Sequence, residues 1–484
     1  MSPMRAPSNR FGGSPLIVLE LPRRHERETF NVQLSTLDSH LPTRPSAPRR
    51  GSVLIIVLWI AFGLVAVALY FAQSMLFELR AVDQRVAGAQ AEQAIAGATY
   101  YVSNVLAQVE TPGTWPEVDL RTWEAVPIGE ATVWILGRGQ PIGEDEPVFD
   151  LVDEASKLNL NTATREMLEK LPRMTPELAG AIIDWLDTDD DVTTGGAETE
   201  VYQRFRPAYR CKNGPFESVE ELRLVAGMTI EILYGEDANL NGILDPNEND
   251  GDASPPSDNR DGRLDPGLIE YLTVVSREPG TRSNGSARIN VTSSSQEELR
   301  TLLEEQLGEE RAGTILDQVG TNNSSLGSLL EFYVKSGMTP EEFCQIEGDL
   351  TVSTNSSQAG LINVNTASEA VLACVPGIGP ELASTLVSQR RPDATTLPTV
   401  AWVADILEQT NLVQAGPYLT SRTFQYTVDV AAVGRYGRGY RRVRWLCDTA
   451  DGTPMFIRRL DVTHLGWALG ATDYDSALFA NRMR

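Results

Sequence analysis

"RRGSVLIIVLWIAFGLVAVALYFAQSM", Arg49 to Met75, opens with two arginines and a glycine, then runs from Ser52 to Ala72 without one formal charge. About twenty apolar residues cross a hydrocarbon core as a helix, so the stretch reads as a membrane-spanning segment. Its flanks orient it. Upstream, "PTRPSAPRR" is basic and proline-rich; downstream, "QSMLFELRAVDQRVAGAQAEQAIAGATYYV" mixes both signs. Positive charge stays inside, which puts the long C-terminal bulk outside the cytoplasm. A secretory signal carries its small-residue cleavage site after the apolar core. Here Gly51 precedes it, so a cut between Gly51 and Ser52 would leave the helix on the mature protein.

The bulk of the chain is acidic. Its 484 residues carry a formal net charge of -25, which argues against a general nucleic-acid binder and for a solvated surface able to hold cations. Cys211, Cys344, Cys374 and Cys447 lie far apart with no CxxC spacing, which excludes a structural zinc motif and a dense disulfide framework. Helical periodicity runs on from the apolar segment to about Gln108, with Leu79, Val82, Val86, Ala89 and Tyr100 expected on one stripe.

Farther on, "GEATVWILGRG" and "PVFDLVDEASKLNLN" alternate as strands do. Thr162 is the expected cap of a helix through Leu171, and Pro176 opens a second. "KLNLNTATREMLEKL", "RINVTSSSQEELRTLL" and "LINVNTASEAVLACV", starting near Lys157, Arg288 and Leu361, each join a strand-like opening to a polar cap and an amphipathic helix: an internal repeat. The second and third follow related strands, "YLTVVS" and "DLTVST". Beyond Pro417, "RTFQYTVDVAAVGRYGRGYRRVRWLCDT" and "PMFIRRLDVTHL" alternate around glycine turns like antiparallel strands. Their basic cluster, Arg435, Arg438, Arg441, Arg442 and Arg444, reads as a solvated sheet face or a partner contact.

Basic residues, a glycine and a hydrophobic helix continuing into an amphipathic one resemble a type IV prepilin leader. Most pilins have a glutamate fifth in the mature helix; here that place is Ile56. A carboxylate without a partner in lipid is expensive, so a subunit with no neighbour above does better without it. Ordered motifs at Asn159 to Ala163, Asp184 to Asp187, Gly196 to Glu198 with Tyr202, and Phe216 to Leu222 are similar to the central signature of the K-type minor pseudopilins of type II secretion, the GspK family. The resemblance implies an α+β fold: an N-terminal pilin-like transmembrane helix and an antiparallel pilin-type sheet interrupted by a large, mostly helical insertion with helix-hairpin-helix or SAM-like repeats. On this reading residues 1–51 form a basic prepilin-type leader, 52–109 the N-terminal helix, 110–157 the first strands, 158–412 the insertion and 413–484 the last strands and tail. Units of the insertion fall near 157–230, 288–345 and 361–412; the family pattern has two, so the third is a departure. The resemblance further implies a non-enzymatic subunit that starts and caps the pseudopilus tip. It would sit in the inner membrane with its bulk in the periplasm, be cut by prepilin peptidase and partner I- and J-type minor pseudopilins.

Two acidic loops and one acidic group are candidate cation sites. "DANLNGILDPNE" fits the calcium-loop template with Asp237, Asn239 and Asn241, Gly242 at the bend, a backbone carbonyl from Ile243, then Asp245 and Glu248. "SDNRDGRLDPGLIE" offers Asn259, Asp261 and Asp265 around Gly262 but has Leu268 in the closing place. Asp187, Asp189, Asp190 and Asp191 with Glu198 would repel one another without a cation. The K family binds calcium in its helical region, so a structural Ca2+ is the implied cofactor. "VPGIGPELASTLV" carries Gly377 and Gly379 in a helix-hairpin-helix pattern, whose amides can hold a phosphate. That supports a competing reading, a membrane-anchored DNA receptor of a competence or type IV pilus system. Glu369 and Glu381 flank the turn, with only Arg390 and Arg391 beyond, so nucleic acid is disfavoured. An ordinary signal-anchored protein is the third reading. Only three histidines, His25, His40 and His464, are present and no phosphate loop, so no catalytic constellation emerges.

Overall fold

The computed structural model describes residues 52–138, 147–293, 296–320, 323, 325–390 and 399–470. The leader with Gly51, and Arg391, lie outside them. The chain divides into two units, Met1–Gln73 and Ser74–Arg484. In the first, helix α1 (Ser52–Leu106) begins with no acidic residue in its first turn, and side chains 53–72 are all exposed. By length and composition this helix could cross a membrane.

In the second unit, α1 continues on a six-stranded antiparallel sheet. Strands β1 (Val126–Ile128), β2 (Ala131–Leu136), β3 (Val152–Asp153), β4 (Gln425–Gly434), β5 (Arg438–Asp448) and β6 (Met455–Asp461) run in the order β1-β2-β4-β5-β6. β3 pairs with the start of β4, and β2 with its later half, so both lie along one side of that strand. The fold is therefore α+β. Helix α1 packs on one face through Ala91, Ala94, Ile95, Ala98, Val102 and Leu106 against Val133, Ile135, Val428, Val430 and Val443. Burying a side chain such as Ile95 contributes roughly 1.5–3 kcal/mol.

The packed stripe differs from the expected one. Leu79, Val82, Val86, Ala89 and Tyr100 are all exposed, and the buried face is built mainly from alanines. Close approach decides this. A Cβ on Gly434 or Gly439 would strike the α1 backbone at Ala87 and Gly88, so helix and sheet meet where both are small.

The chain leaves the sheet after Asp153 and returns at Gln425. Everything between forms a second, larger core of short helices, among them α2 (Arg165–Leu168), α3 (Pro176–Leu186), α4 (Glu297–Leu307), α5 (Glu309–Val319), α6 (Leu329–Ser336), α7 (Pro340–Ile346), α8 (Glu369–Cys374), α9 (Gly379–Gln389) and α10 (Gln409–Ala415). Three parallel strand pairs organise it: Leu158–Asn159 with Leu272–Thr273, Ile289–Asn290 with Leu350–Thr351, and Ile362–Asn363 with Leu419–Thr420. Each opening strand ends in an asparagine whose Oδ1 accepts from the amide two residues on, at 2.8–3.0 Å. Each closing strand is Leu-Thr. The recurring strand, turn and helix of the sequence is thus a unit that starts and ends beside itself.

The Asn159 turn also moves the first cap. Ala163 N donates to Asn159 O, Thr162 is drawn into that turn, and Thr164 rather than Thr162 accepts from the helix, at Met167 N. At the root of the insertion, Asp153 accepts from Asn363 at 2.9 Å, Thr423 at 2.6 Å and Thr366 at 2.5 Å, tying the exit strand to the returning chain. Burial pushes its carboxyl up to about 6 against these bonds.

Candidate metal centres

The first centre is built on α3. Thr175 caps this helix, Pro176 opens it, and its apolar side sets Asp184 inward beside Trp185. Asp187 ends the helix; the chain then turns through exposed Asp189, Asp190 and Asp191 and returns at Gly196, where a Cβ would collide with the Asp184 carboxylate. Glu198 follows, buried at the start of Thr199–Tyr202. One carboxylate oxygen from each of Asp184, Asp187 and Glu198 lies within 4.8 Å of the others.

Asp184 Oδ1 accepts from Thr193 N at 3.1 Å. Asp184 Oδ2, Asp187 Oδ1 and both Glu198 oxygens are enclosed with no hydrogen-bond partner. Like charges about 5 Å apart repel by roughly 3 kcal/mol per pair at an effective dielectric near 20. Burial first, then Asp184 and Asp187, lift the Glu198 carboxyl to about 7, and burial lifts Asp187 as well. Deprotonated oxygens that face one another without donors suit a hard cation, and Asp184, Asp187 and Glu198 would hold it. Of the residues expected here, Asp187 and Glu198 belong to this group. Asp189 and Asp191 do not; Asp189 Oδ1 accepts from Asp191 N at 2.9 Å in the exposed turn. Asp184 was not among the expected ligands, although its place one helical turn before Asp187 was a readable signal.

The second centre, 237–248, satisfies itself. Asp237 accepts from the amides of Asn241 and Gly242, both at 2.9 Å, and Glu248 from those of Ala238 and Asp245 at 2.9 and 3.1 Å. Asn239 and Asn241 donate to Asp245 Oδ2 at 2.7 and 3.0 Å, and Ile243 is buried with its amide on Asn241 Oδ1. Gly242 takes φ 76° at the bend. The calcium-loop positions thus converge on one small volume. Burial, then Asp237, raises the Glu248 carboxyl to about 8, and burial raises Asp245. In the neighbouring loop Asn259 and Asp261 are exposed, Asp265 pairs with Arg173 at 3.5 Å, and Leu268 is in the core.

Arginines clamp this second loop to the sheet. Arg442 and Arg444 both bind Asp429 Oδ2 at 2.8 Å; Arg442 also donates to the carbonyls of Asn239 and Leu240, and Arg138 to Leu240 O and Asp237. Arg442 is fully buried, so it is no part of a solvated face; the paired arginines hold the Asp429 carboxyl far below the usual range against its burial. Arg435 and Arg438 instead reach Asp83 of α1. In the turn from α8 to α9, Gly377 (φ 82°) packs on Asn411 and Gln414 of α10, and Gly379 (φ 68°) opens α9.

Two family models, both described as type II secretion system (T2SS), protein K, match residues 150–234 and 362–424. The first contains the Asp184, Asp187 and Glu198 centre. The type II secretion system protein K of Klebsiella pneumoniae is 42% identical over 67 residues, 14% of this chain and 21% of that relative, so the match spans about a fifth of the relative's length. The solved GspK-GspI-GspJ complex of the enterotoxigenic Escherichia coli type 2 secretion system contains a chain that is 11% identical, with a TM-score of 0.36 over 81% of this chain and 98% of that one. Over these two segments the chain is similar to the type II secretion system protein K family.

Proposed function

We propose that the protein is a minor pseudopilin that initiates and caps the tip of the pseudopilus, working by assembly rather than turnover. The observation that carries this reading is the insertion. A body running from Asp153 to Gln425 hangs on one strand-to-strand connection of a small sheet, and such bulk is tolerated only where no further subunit stacks above. Ile56 in place of an acid in the first turns of α1 supports the same end position. The exposed stripe of Leu79, Val82 and Val86 supports helix-to-helix packing with sibling subunits of I and J type. Prepilin peptidase would cut between Gly51 and Ser52, leaving a single-pass inner-membrane protein with its bulk in the periplasm.

Structural calcium belongs to this reading. Asp184, Asp187 and Glu198 would bind one ion, their unpartnered oxygens being the supporting observation. The 237–248 loop would bind another through Asp237, Asn239, Asn241, Ile243, Asp245 and Glu248. Calcium would there cross-link loops that have little apolar core of their own. Co-expression of the full chain with I- and J-type subunits from the same organism tests the assembly role: a complex of all three is expected on gel filtration in detergent, and separate elution overturns it.

A further inference from the structure

We infer that the loop after Tyr202 is a docking surface for an acidic segment of another polypeptide, one that carries carboxylates between apolar side chains. From Gln203 to Phe216 the chain holds Arg204, Arg206, Arg210 and Lys212 and no acidic residue, within a sequence whose formal net charge is -25. Lys212 pairs with Glu217 and Glu221, at 3.7 and 2.9 Å. The three arginines are exposed, and among the described residues none of their guanidinium groups has an ion-pair or hydrogen-bond partner. Arg311, Arg458 and Arg459, also at the surface, each bind a glutamate of this chain instead. Three free guanidinium groups within seven residues thus make a local positive patch on an acidic protein.

The patch surrounds a fixed apolar platform. Tyr202 is fully buried, edge-on to Trp185 of α3 with ring centroids 5.2 Å apart, and its hydroxyl accepts from Ala226 N at 3.2 Å. Phe205 stands edge-on to Tyr202 at 5.7 Å and tilted against Tyr209 at 5.9 Å. The Tyr209 hydroxyl donates to Leu224 O at 2.7 Å and its amide to Tyr202 O at 3.4 Å, which closes the loop. Phe205 is nevertheless 38% exposed and Leu224 47%. Because the loop is already ordered, a partner that covers these side chains loses little to ordering them. Arginine beside aromatic residues is also the composition that carries most of the energy at protein interfaces.

The chemistry selects a protein segment. A nucleic-acid backbone needs basic charge along its length, and this chain is acidic outside the patch. A bilayer takes up apolar groups that project from a surface, whereas most of Phe205 is covered by its own neighbours. Carboxylates spaced by apolar side chains meet both halves at once: the forked guanidinium groups, and the surface that runs from Phe205 through Tyr209 to Leu224. The assignment needs only the folded insertion and stands independently of the tip and calcium readings.

The full chain in phosphatidylcholine nanodiscs, at constant calcium, is titrated with a short fluorescein-labelled peptide that repeats glutamate, leucine and glycine. A twin with glutamine for glutamate, duplex DNA and phosphatidylglycerol vesicles serve as comparisons. The acidic peptide is expected to bind about tenfold or more tighter than its twin, and more weakly as salt rises. Arg204→Ser/Arg206→Ser is expected to weaken it about tenfold and Leu224→Ser about threefold, both with an unchanged melting temperature because these side chains are exposed. Arg300→Ser/Lys335→Ser removes the same charge from exposed positions of α4 and α6 and should bind like the parent. Equal binding of the two peptides, binding of neither, or tighter binding of DNA or vesicles than of the acidic peptide overturns the assignment. So does an Arg204→Ser/Arg206→Ser protein that binds like the parent, or an equal loss in Arg300→Ser/Lys335→Ser.

Discussion

The two carboxylate centres use the same chemistry and solve it in opposite ways. At Asp184, Asp187 and Glu198 the oxygens face one another with four of them unpartnered. At 237–248 nearly every oxygen accepts from a backbone amide or an asparagine, and Arg138 adds a positive charge. The first arrangement concentrates repulsion that only protonation or a cation removes; the second stores its geometry in hydrogen bonds and in an arginine clamp. The lesson is that a carboxylate count does not say how much a fold depends on metal. The number of donors already provided does.

Breaking the clamp should have the largest effect. Arg442→Ala leaves the buried Asp429 with Arg444 as its one remaining arginine partner and strips the Asn239 carbonyl of its arginine donor, so a loss of about 3–5 kcal/mol is expected in urea titrations. Calcium binding at 237–248 should fall with it while the α3 centre still titrates. Next comes Glu198→Gln. In chelator it removes one of three facing charges and should stabilise the protein by about 1–3 kcal/mol; in calcium it should erase most of the protection that the ion gives, a crossover visible by differential scanning calorimetry.

The pH dependence of the metal-free protein sharpens the contrast. Glu198 and Glu248 titrate near about 7 and about 8 when folded, against 4.5 when unfolded. Folded protein therefore binds more protons than unfolded between those values, and stability falls as pH rises from about 4.5 through about 8, by up to ~1.4 kcal/mol per pH unit for each group. Glu198→Gln should remove the part of the slope that ends near 7, and Glu248→Gln the part that ends near 8. Saturating calcium should flatten both, and a slope unchanged by calcium counts against these ligands. Asp189→Asn, in the exposed turn, should stay within about 0.5 kcal/mol with unaltered calcium affinity.

Much of this was legible in order of local signal strength. The uncharged run from Ser52 and the alternating strands past Pro417 depend on neighbouring residues alone, and both appear where periodicity puts them. The packed stripe of α1 was misread because hydrophobic periodicity favours Leu79 and Val82, whereas the sheet admits only a surface as small as Ala91, Ala94 and Ala98. The Thr164 cap escaped notice because a turn begun by Asn159 consumed Thr162. The basic cluster reads as a solvated face or a partner contact because the partners of Arg442, Asp429 and the Leu240 carbonyl, come from a neighbouring strand and from an insertion loop some two hundred residues earlier. Long-range polar pairing leaves no period in the chain. The same holds for Asp184, whose role depends on Gly196 returning against it.

The central claim is a place in an assembly: one subunit at the end, bearing an insertion that nothing covers. Gold labelling of the insertion on isolated pseudopili, viewed by electron microscopy, addresses it directly. A single label at one end of each filament is the result expected; labels repeating along the shaft would contradict it.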